Sequence, residues 1–180
     1  MGDFSATILN ARLPYLFDGE IEYFHQLAEQ LTDDSVVVCL GTGPGIMLMA
    51  LVEENDKNFD LVSVDIGDYS TAMKHLEVMD KIERAGFIVN DSADEAFNWR
   101  DESVDVLLVD ACHQYSCVKH DIKAWWKKVR YGGLVFFHDY IKKEPDNGVA
   151  EAIAESITDE WEKVTEVGIS IVFKKVKKDA

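Results

Sequence analysis

Val36-Val37-Val38-Cys39-Leu40-Gly41-Thr42-Gly43-Pro44-Gly45 is the stretch that decides the fold. Five continuously apolar residues led by β-branched ones describe a strand buried on both faces. Three glycines in the next five positions end it, and the apolar run Ile46 to Glu53 that follows reads as a helix. A buried strand, a glycine loop and a helix are the opening of a βαβ unit, in which successive strands run parallel.

Outward from this unit the pattern repeats. Leu61–Val64, Phe87–Val89, Val104–Val109 and Leu134–Phe137 read as further short buried strands. Between them the periodicity predicts helices over Ser70–Ala85 and Ser116–Val129, the latter carrying Ile122, Trp125 and Trp126. An amphipathic helix over Gly19–Leu31 precedes the first strand, and a helix over Gly148–Ile157 follows the fifth. Two strand-like runs, Trp161–Val167 and Ile169–Val176, then turn at Gly168. The expectation is an α/β fold: a three-layer, doubly wound, mostly parallel seven-stranded sheet with an antiparallel C-terminal edge hairpin. Lys174, Lys175, Lys177 and Lys178 read as a solvated terminus that blunts an edge strand. No repeat or linker interrupts the chain, so residues 1–180 are expected to form a single domain, with residues 1–18 as an N-terminal lid or arm.

Composition narrows the function. The 180 residues are 47% hydrophobic, enough for a core, and 18 Lys+Arg against 34 Asp+Glu give a formal charge of −16. Such a surface repels phosphate backbones and anionic lipid, so neither nucleic acid nor membrane is an expected partner. No apolar run reaches the roughly 20 residues of a membrane span, and Met1–Asn10 lacks the pattern of a secretion signal. Three cysteines, Cys39, Cys112 and Cys117, make a disulfide framework improbable and suit a reduced, cytoplasmic setting.

The glycine loop has a partner in Asp65, which closes the second strand 20 residues after Gly45, where the next βα turn brings it beside the loop. A carboxylate there can accept hydrogen bonds from two ribose hydroxyls, so the pair points to a nucleoside site; a tight turn and a helix cap are the structural alternatives. The spacing is G-x-G-x-G, with Ile46 where a dinucleotide fold wants its third glycine.

At this loop the sequence resembles the class I S-adenosylmethionine-dependent methyltransferases, over about Val36 to Lys175. The resemblance implies cofactor binding by Gly41, Thr42, Gly43, Gly45, Asp65 and Asp110. It also places Asp91 and Ser92 of Asn90-Asp91-Ser92 against the adenine, where an ordinary helix cap is the alternative. Tyr131-Gly132-Gly133 looks like the family's tight turn before the fifth strand. Cys39 departs from the acidic residue usual at its position.

Asp110-Ala111-Cys112-His113-Gln114-Tyr115 after the fourth strand and His138-Asp139-Tyr140 after the fifth, with Asp121 and Trp125, are similar to the branch of macrocin O-methyltransferase-like and cephalosporin hydroxylase-like proteins. Strands about 4.8 Å apart let side chains at their ends converge. The resemblance implies a divalent metal, Mg or Mn, on Asp110 and Asp139 with His138 as third ligand. Asp110 and His113 are the catalytic candidates, His113 as a general base because a neutral imidazole is available near pH 7. The function implied is methyl transfer from S-adenosylmethionine to an oxygen of a small-molecule acceptor. A metal-dependent hydroxylase-like enzyme and a non-catalytic nucleoside-binding module are the alternatives, and a homodimer stays open.

Overall fold

A computed structural model describes residues 16–17, 19–53, 55–141 and 144–177. The lid or arm expected at the N-terminus lies almost wholly outside the described residues.

The chain runs α1 (Glu20–Gln30), β1 (Val36–Leu40), α2 (Ile46–Val52), β2 (Asp60–Asp65), α3 (Ser70–Val78), β3 (Gly86–Val89), α4 (Ser92–Glu95), β4 (Val104–Val109), α5 (Tyr115–Trp125), β5 (Val129–Phe137), α6 (Val149–Ser156), β6 (Trp161–Val167) and β7 (Ser170–Lys175). The strands form one sheet in the order β3-β2-β1-β4-β5-β7-β6. The first five are parallel, and β7 is antiparallel to both β5 and β6. This is the doubly wound sheet with a closing hairpin that the alternation of patterns predicts.

Period-two alternation feeds two cores. Val37 and Cys39 of β1 and Val106 and Leu108 of β4 face a cluster with Phe24, Leu48, Leu51 and Leu76 from α1, α2 and α3. Val38, Leu40, Leu107 and Val109 face the opposite cluster, built on Val118, Ile122 and Trp125 of α5 and Ile153 of α6. Both faces of the central strands are therefore covered, which explains their unbroken apolar runs.

Three local readings are corrected. The helix predicted over Ser70–Ala85 stops at Val78, because Asp80 takes a left-handed φ of 56°. The Asp80 and Lys81 amides then donate to the Glu77 and Leu76 carbonyls, a Schellman closure with aspartate in the usual glycine place. Tyr131-Gly132-Gly133 is not a turn ahead of β5 but an irregularity within it, at the register shift opposite Val104–Val106, with Gly132 at φ 83°. The lysine cluster does not blunt an edge either: β7 is internal, β6 is the edge, and Lys175 is buried with its Nζ donating to the Trp126 and Val129 carbonyls.

Sheet register puts Leu40, Val64, Val109 and Phe137 level with one another at the C-terminal ends of β1, β2, β4 and β5. The residues that follow them share one edge of the sheet, across the point where strand order reverses. In open α/β sheets that crevice is where ligands bind.

Candidate functional site

The loop after β1 is held rather than slack. The Gly41 amide donates to the Val64 carbonyl at 2.8 Å, the Thr42 amide to Asp65 Oδ2 at 2.7 Å, and the Thr42 and Ser63 hydroxyls bond at 2.8 Å. Asp65 Oδ1 accepts from the Gly67 amide, so the carboxylate is oriented by both neighbouring loops while retaining acceptor capacity for a ligand. His75, to which sequence reasoning gives no role, braces the loop from α3, its Nδ1 lying 2.8 Å from the Pro44 carbonyl oxygen.

Two glycines here are required for different reasons. Gly41, at φ 89°, presses against β4: a Cβ would fall 2.2 Å from the Asp110 carbonyl oxygen. Gly43, at φ 47°, faces open space, with nothing within 4 Å of where its Cβ would be. One glycine lets two strands' ends meet, and the other leaves room beside the loop.

That room opens into a cavity of about 520 Å³ lined by Gly41, Gly43, Asp65, Asp91, Ser92 and Asp110, together with Ile66, Cys112, Cys117 and Asp121. Its volume falls within the roughly 300–1,000 Å³ of small-molecule sites. A larger hollow of about 660 Å³ lies at the opposite ends of the strands, around Phe59, Arg84 and Trp99, away from these groups.

Six of the eight residues expected to bind cofactor therefore share one cavity. The other two shape the loop: Thr42 is buried against Ser63, and Gly45 caps α2 against Ala72. Asp91 is the N-cap of α4, its Oδ1 accepting from the Ala93 and Asp94 amides, so the capping alternative is realised at a residue that also borders the cavity. The Ser92 hydroxyl donates to Asp121 Oδ1. Burial pushes the Asp121 carboxyl up to about 6, with the Ser92 bond opposing it.

Beside the cavity stands a charged cluster. Asp110 follows β4, while His138 and Asp139 follow β5. His113 returns from the β4–α5 loop, where its carbonyl accepts from the Gly148 amide. His113 Nε2 lies 2.9 Å from Asp139 Oδ2 and 3.4 Å from Asp110 Oδ1. His138 Nδ1 lies 3.1 Å from Asp110 Oδ1 and 3.4 Å from Asp139 Oδ2. Asp139 is buried at a left-handed φ of 57°, a strained geometry that the Asn147 side chain braces by donating to its carbonyl.

Among the described residues, the three groups whose donor atoms lie within 4.8 Å of one another are Asp110, His113 and Asp139. The expected ligand set of Asp110, His138 and Asp139 shares its two carboxylates with this group, and His138 Nδ1 lies against both of them. His138 is turned inward, with its Nε2 3.6 Å from Glu20 Oε2, and it ties the carboxylates to α1.

Hydrogen bonds to Asp110 and Asp139 push His113 up to about 9, so without a competing cation it holds a proton at neutral pH. Burial opposes charge on His138, but the carboxylates of Asp110, Asp139 and Glu20 around its ring win and push it up to about 12. Burial likewise works against ionised Asp110 and Asp139, yet the two imidazoles hold both carboxyls below their usual range. Glu20 is wholly buried at the end of this relay, and sequence reasoning missed it.

A family model described as a methyltransferase domain matches residues 38–140. No curated protein sequence matches the chain. Among solved structures, the chain is similar to an O-methyltransferase from Bacillus cereus in complex with S-adenosylhomocysteine. There the identity is 14%, the TM-score 0.70, and 97% of this chain and 89% of that one are covered. It is also similar to an O-methyltransferase of Streptomyces achromogenes involved in tomaymycin synthesis, in complex with S-adenosylmethionine, at 15% identity and TM-score 0.71, covering 98% and 91%. A Thermotoga maritima S-adenosylmethionine-dependent O-methyltransferase gives 13% and 0.69, covering 98% and 72%. At these identities the likeness is one of fold.

Proposed function

The chain belongs to the methyltransferase domain family, and on that premise we propose that it transfers a methyl group from S-adenosylmethionine to an oxygen of a small-molecule acceptor, with a divalent cation assisting. One observation carries the reading: the glycine loop, Asp65 and the Asp110–His113–Asp139 cluster meet at one edge of the sheet, around and beside a single cavity. The nucleoside would lie over Gly43, with its ribose on Asp65 and its base toward Asp91 and Ser92.

The cluster fits a cation by its donor chemistry. Two carboxylates and an imidazole within 4.8 Å suit Mg²⁺ or, with the histidine counted, Mn²⁺. When bound, S-adenosylmethionine supplies a methyl already made electrophilic by its sulfonium, and the cation lowers the pKa of an acceptor hydroxyl.

The protein's own part is placement. Asp65 fixes the donor from one side while Asp110 stands at the junction of the cavity and the cluster. His138 and Glu20 hold the Asp110 carboxylate in place from behind. Aligning acceptor oxygen, methyl carbon and sulfur removes orientational freedom that would otherwise slow the reaction, an effect worth several kcal/mol.

Calorimetry with S-adenosylhomocysteine tests the reading, with NAD as control. Asp65→Ala is expected to weaken binding roughly 5- to 150-fold, the equivalent of about 1–3 kcal/mol of lost hydrogen bonding. Tight binding of NAD with none of S-adenosylhomocysteine would sink it.

A further inference from the structure

A second cavity, of about 320 Å³, lies between α4 and α5 and takes no part in the proposed transfer. Buried Ala93 and Ala96 with half-buried Ala124 give it an apolar floor, and Phe97 borders it. Ala93 and His120 also border the nucleoside cavity, so the two hollows share a wall.

The Phe97 ring is 86% exposed, yet the turn that carries it, Ala96–Asn98, is fixed. Buried Glu95 accepts there from the Asn90 and Asn98 side-chain amides and from the Trp99 indole. On the other side of the floor Trp125 Nε1 donates to the Ser92 carbonyl at 2.7 Å, which ties α4 to α5. The phenyl is thus presented to solvent by a rigid frame, and a ligand that covers it gains apolar burial at little cost in ordering.

The rim is positive in a chain whose formal charge is −16. His120, Lys123, Ala124 and Lys127 recur at i, i+3, i+4 and i+7, which puts them on one face of α5 and the turn after it. The carboxylate that borders the cavity, Asp101, is already paired with Lys128, whose Nζ lies 2.8 Å from Asp101 Oδ1 and 2.8 Å from the Trp99 carbonyl oxygen. Lys123 and Lys127 make no such pair among the described residues. The C-terminal end of α5 brings the equivalent of roughly half a negative charge, which two full positive charges outweigh.

We propose that this cavity is a second binding site, for a small aromatic carboxylate, with the ring against Phe97 and the alanine floor and the carboxylate on Lys123 and Lys127. A bare anion would leave the apolar floor in water, and an uncharged aromatic would leave both ammonium groups unanswered. The site stands apart from the transfer reaction: none of Asp65, Asp110, His113 and Asp139 borders it. Its test therefore does not depend on the cofactor reading.

Calorimetry on the full-length chain with 3-phenylpropionate as the probe decides it, with 3-phenylpropanamide and acetate as comparators. The amide, which lacks only the charge, is expected to bind at least about fivefold more weakly, and acetate more weakly still. Phe97→Ala should weaken the acid roughly 2- to 12-fold, the scale of an aromatic pair. Replacing both lysines, Lys123→Gln with Lys127→Gln, should bring the acid down to the affinity of the amide while leaving the amide itself unchanged. All three positions are exposed, so the melting temperatures of the variants should match the parent's. No binding heat through about 10 mM acid, enough to saturate a millimolar site, would overturn the proposal. So would acid, amide and acetate binding alike, or an affinity indifferent to both the lysine and the Phe97 substitutions.

Discussion

Glu20 and Ser170, 150 residues apart in the chain, are joined by a buried 2.6 Å hydrogen bond from the serine hydroxyl to Glu20 Oε1. The same oxygen accepts from the Ile169 amide, and Oε2 accepts from the Phe17 amide and faces His138 Nε2. Gly168, at φ 57°, lets the β6–β7 turn close over this carboxylate, since a Cβ there would fall 2.6 Å from the Glu20 side chain. The hairpin thus supplies no residue to the site yet is fastened to it, through Glu20, His138 and Asp110. One buried acid couples the first helix, the last strands and the edge that carries the candidate site.

Removing that acid should therefore cost far more than a surface change. Glu20→Ala leaves the buried Nε2 of His138 without its facing carboxylate and strips three hydrogen bonds of their acceptor. The expected loss is roughly 3–5 kcal/mol, the scale for breaking a buried ion pair. Glu20→Gln keeps one acceptor oxygen and should lose less, about 1–3 kcal/mol. Urea unfolding of the two variants checks both the size and the order.

Asp121 gives a pH dependence of opposite sign to the usual carboxylate. Its folded-state pKa is raised by burial to about 6, above the ordinary value of 3.8. Folding therefore takes up a proton between those values, so this group's contribution to stability falls as pH rises from about 3.8 to about 6 and stays low beyond. Asp121→Asn, which can still accept from Ser92, should be more stable than the parent at pH 7, by up to roughly 3 kcal/mol on the 1.36 kcal/mol per unit scale. The gain should vanish below pH 4. An equal shift of the urea midpoint at pH 4 and pH 7 would show that ionisation is not its source.

The two glycines of the loop should separate stability from binding. Gly41→Ala drives a methyl into the Asp110 backbone and is expected to unfold the site or the protein. Gly43→Ala meets no protein atom and costs only the left-handed strain, about 1–2 kcal/mol. Its methyl occupies the room left for the ligand, so a folded Gly43→Ala protein should bind S-adenosylhomocysteine at least about tenfold more weakly, the equivalent of 1.4 kcal/mol. Melting curves and calorimetry on the same preparations distinguish the two losses.

Much of this was legible in the sequence, because local pattern and burial coincide in central strands. β1, β4 and β6 run over the residues their apolar patterns mark, and Gly168 makes the turn it should. Reading failed where the deciding partner is distant or the choice is one of direction. Asp80 ends α3 by backbone conformation, without the glycine or proline that would announce it. Lys175 is a lysine in a terminal cluster by sequence and a buried donor by topology, because β7 inserts between β5 and β6. Both His113 and His138 contact Asp110 and Asp139, and only the fold turns the other ring nitrogen of His138 toward Glu20. The partners of Glu20 at Ile169 and Ser170 lie at the far end of the chain, so no local pattern could reveal it.

The sharing of His113 between two carboxylates makes the cation assignment measurable apart from catalysis. In the metal-free protein Asp110 and Asp139 raise this imidazole to about 9, so a cation that uses His113 Nε2 must displace its proton. Below pH 9 each unit of rising pH lowers the competing proton concentration tenfold, and with one proton displaced per cation Mn²⁺ affinity should climb about tenfold per unit from pH 6 to pH 8. His113→Gln should flatten that slope while retaining weak binding by the carboxylates, and Asp139→Asn should abolish binding. Chelation should likewise stop methyl transfer and leave S-adenosylhomocysteine affinity nearly unchanged, since Asp65 and Gly43 lie apart from the cluster. Turnover that survives excess chelator, or an Mn²⁺ titration without heat at pH 8, would instead make the cluster a purely organic ion-pair network. Activation of the acceptor would then fall to the Asp110 and Asp139 carboxylates alone.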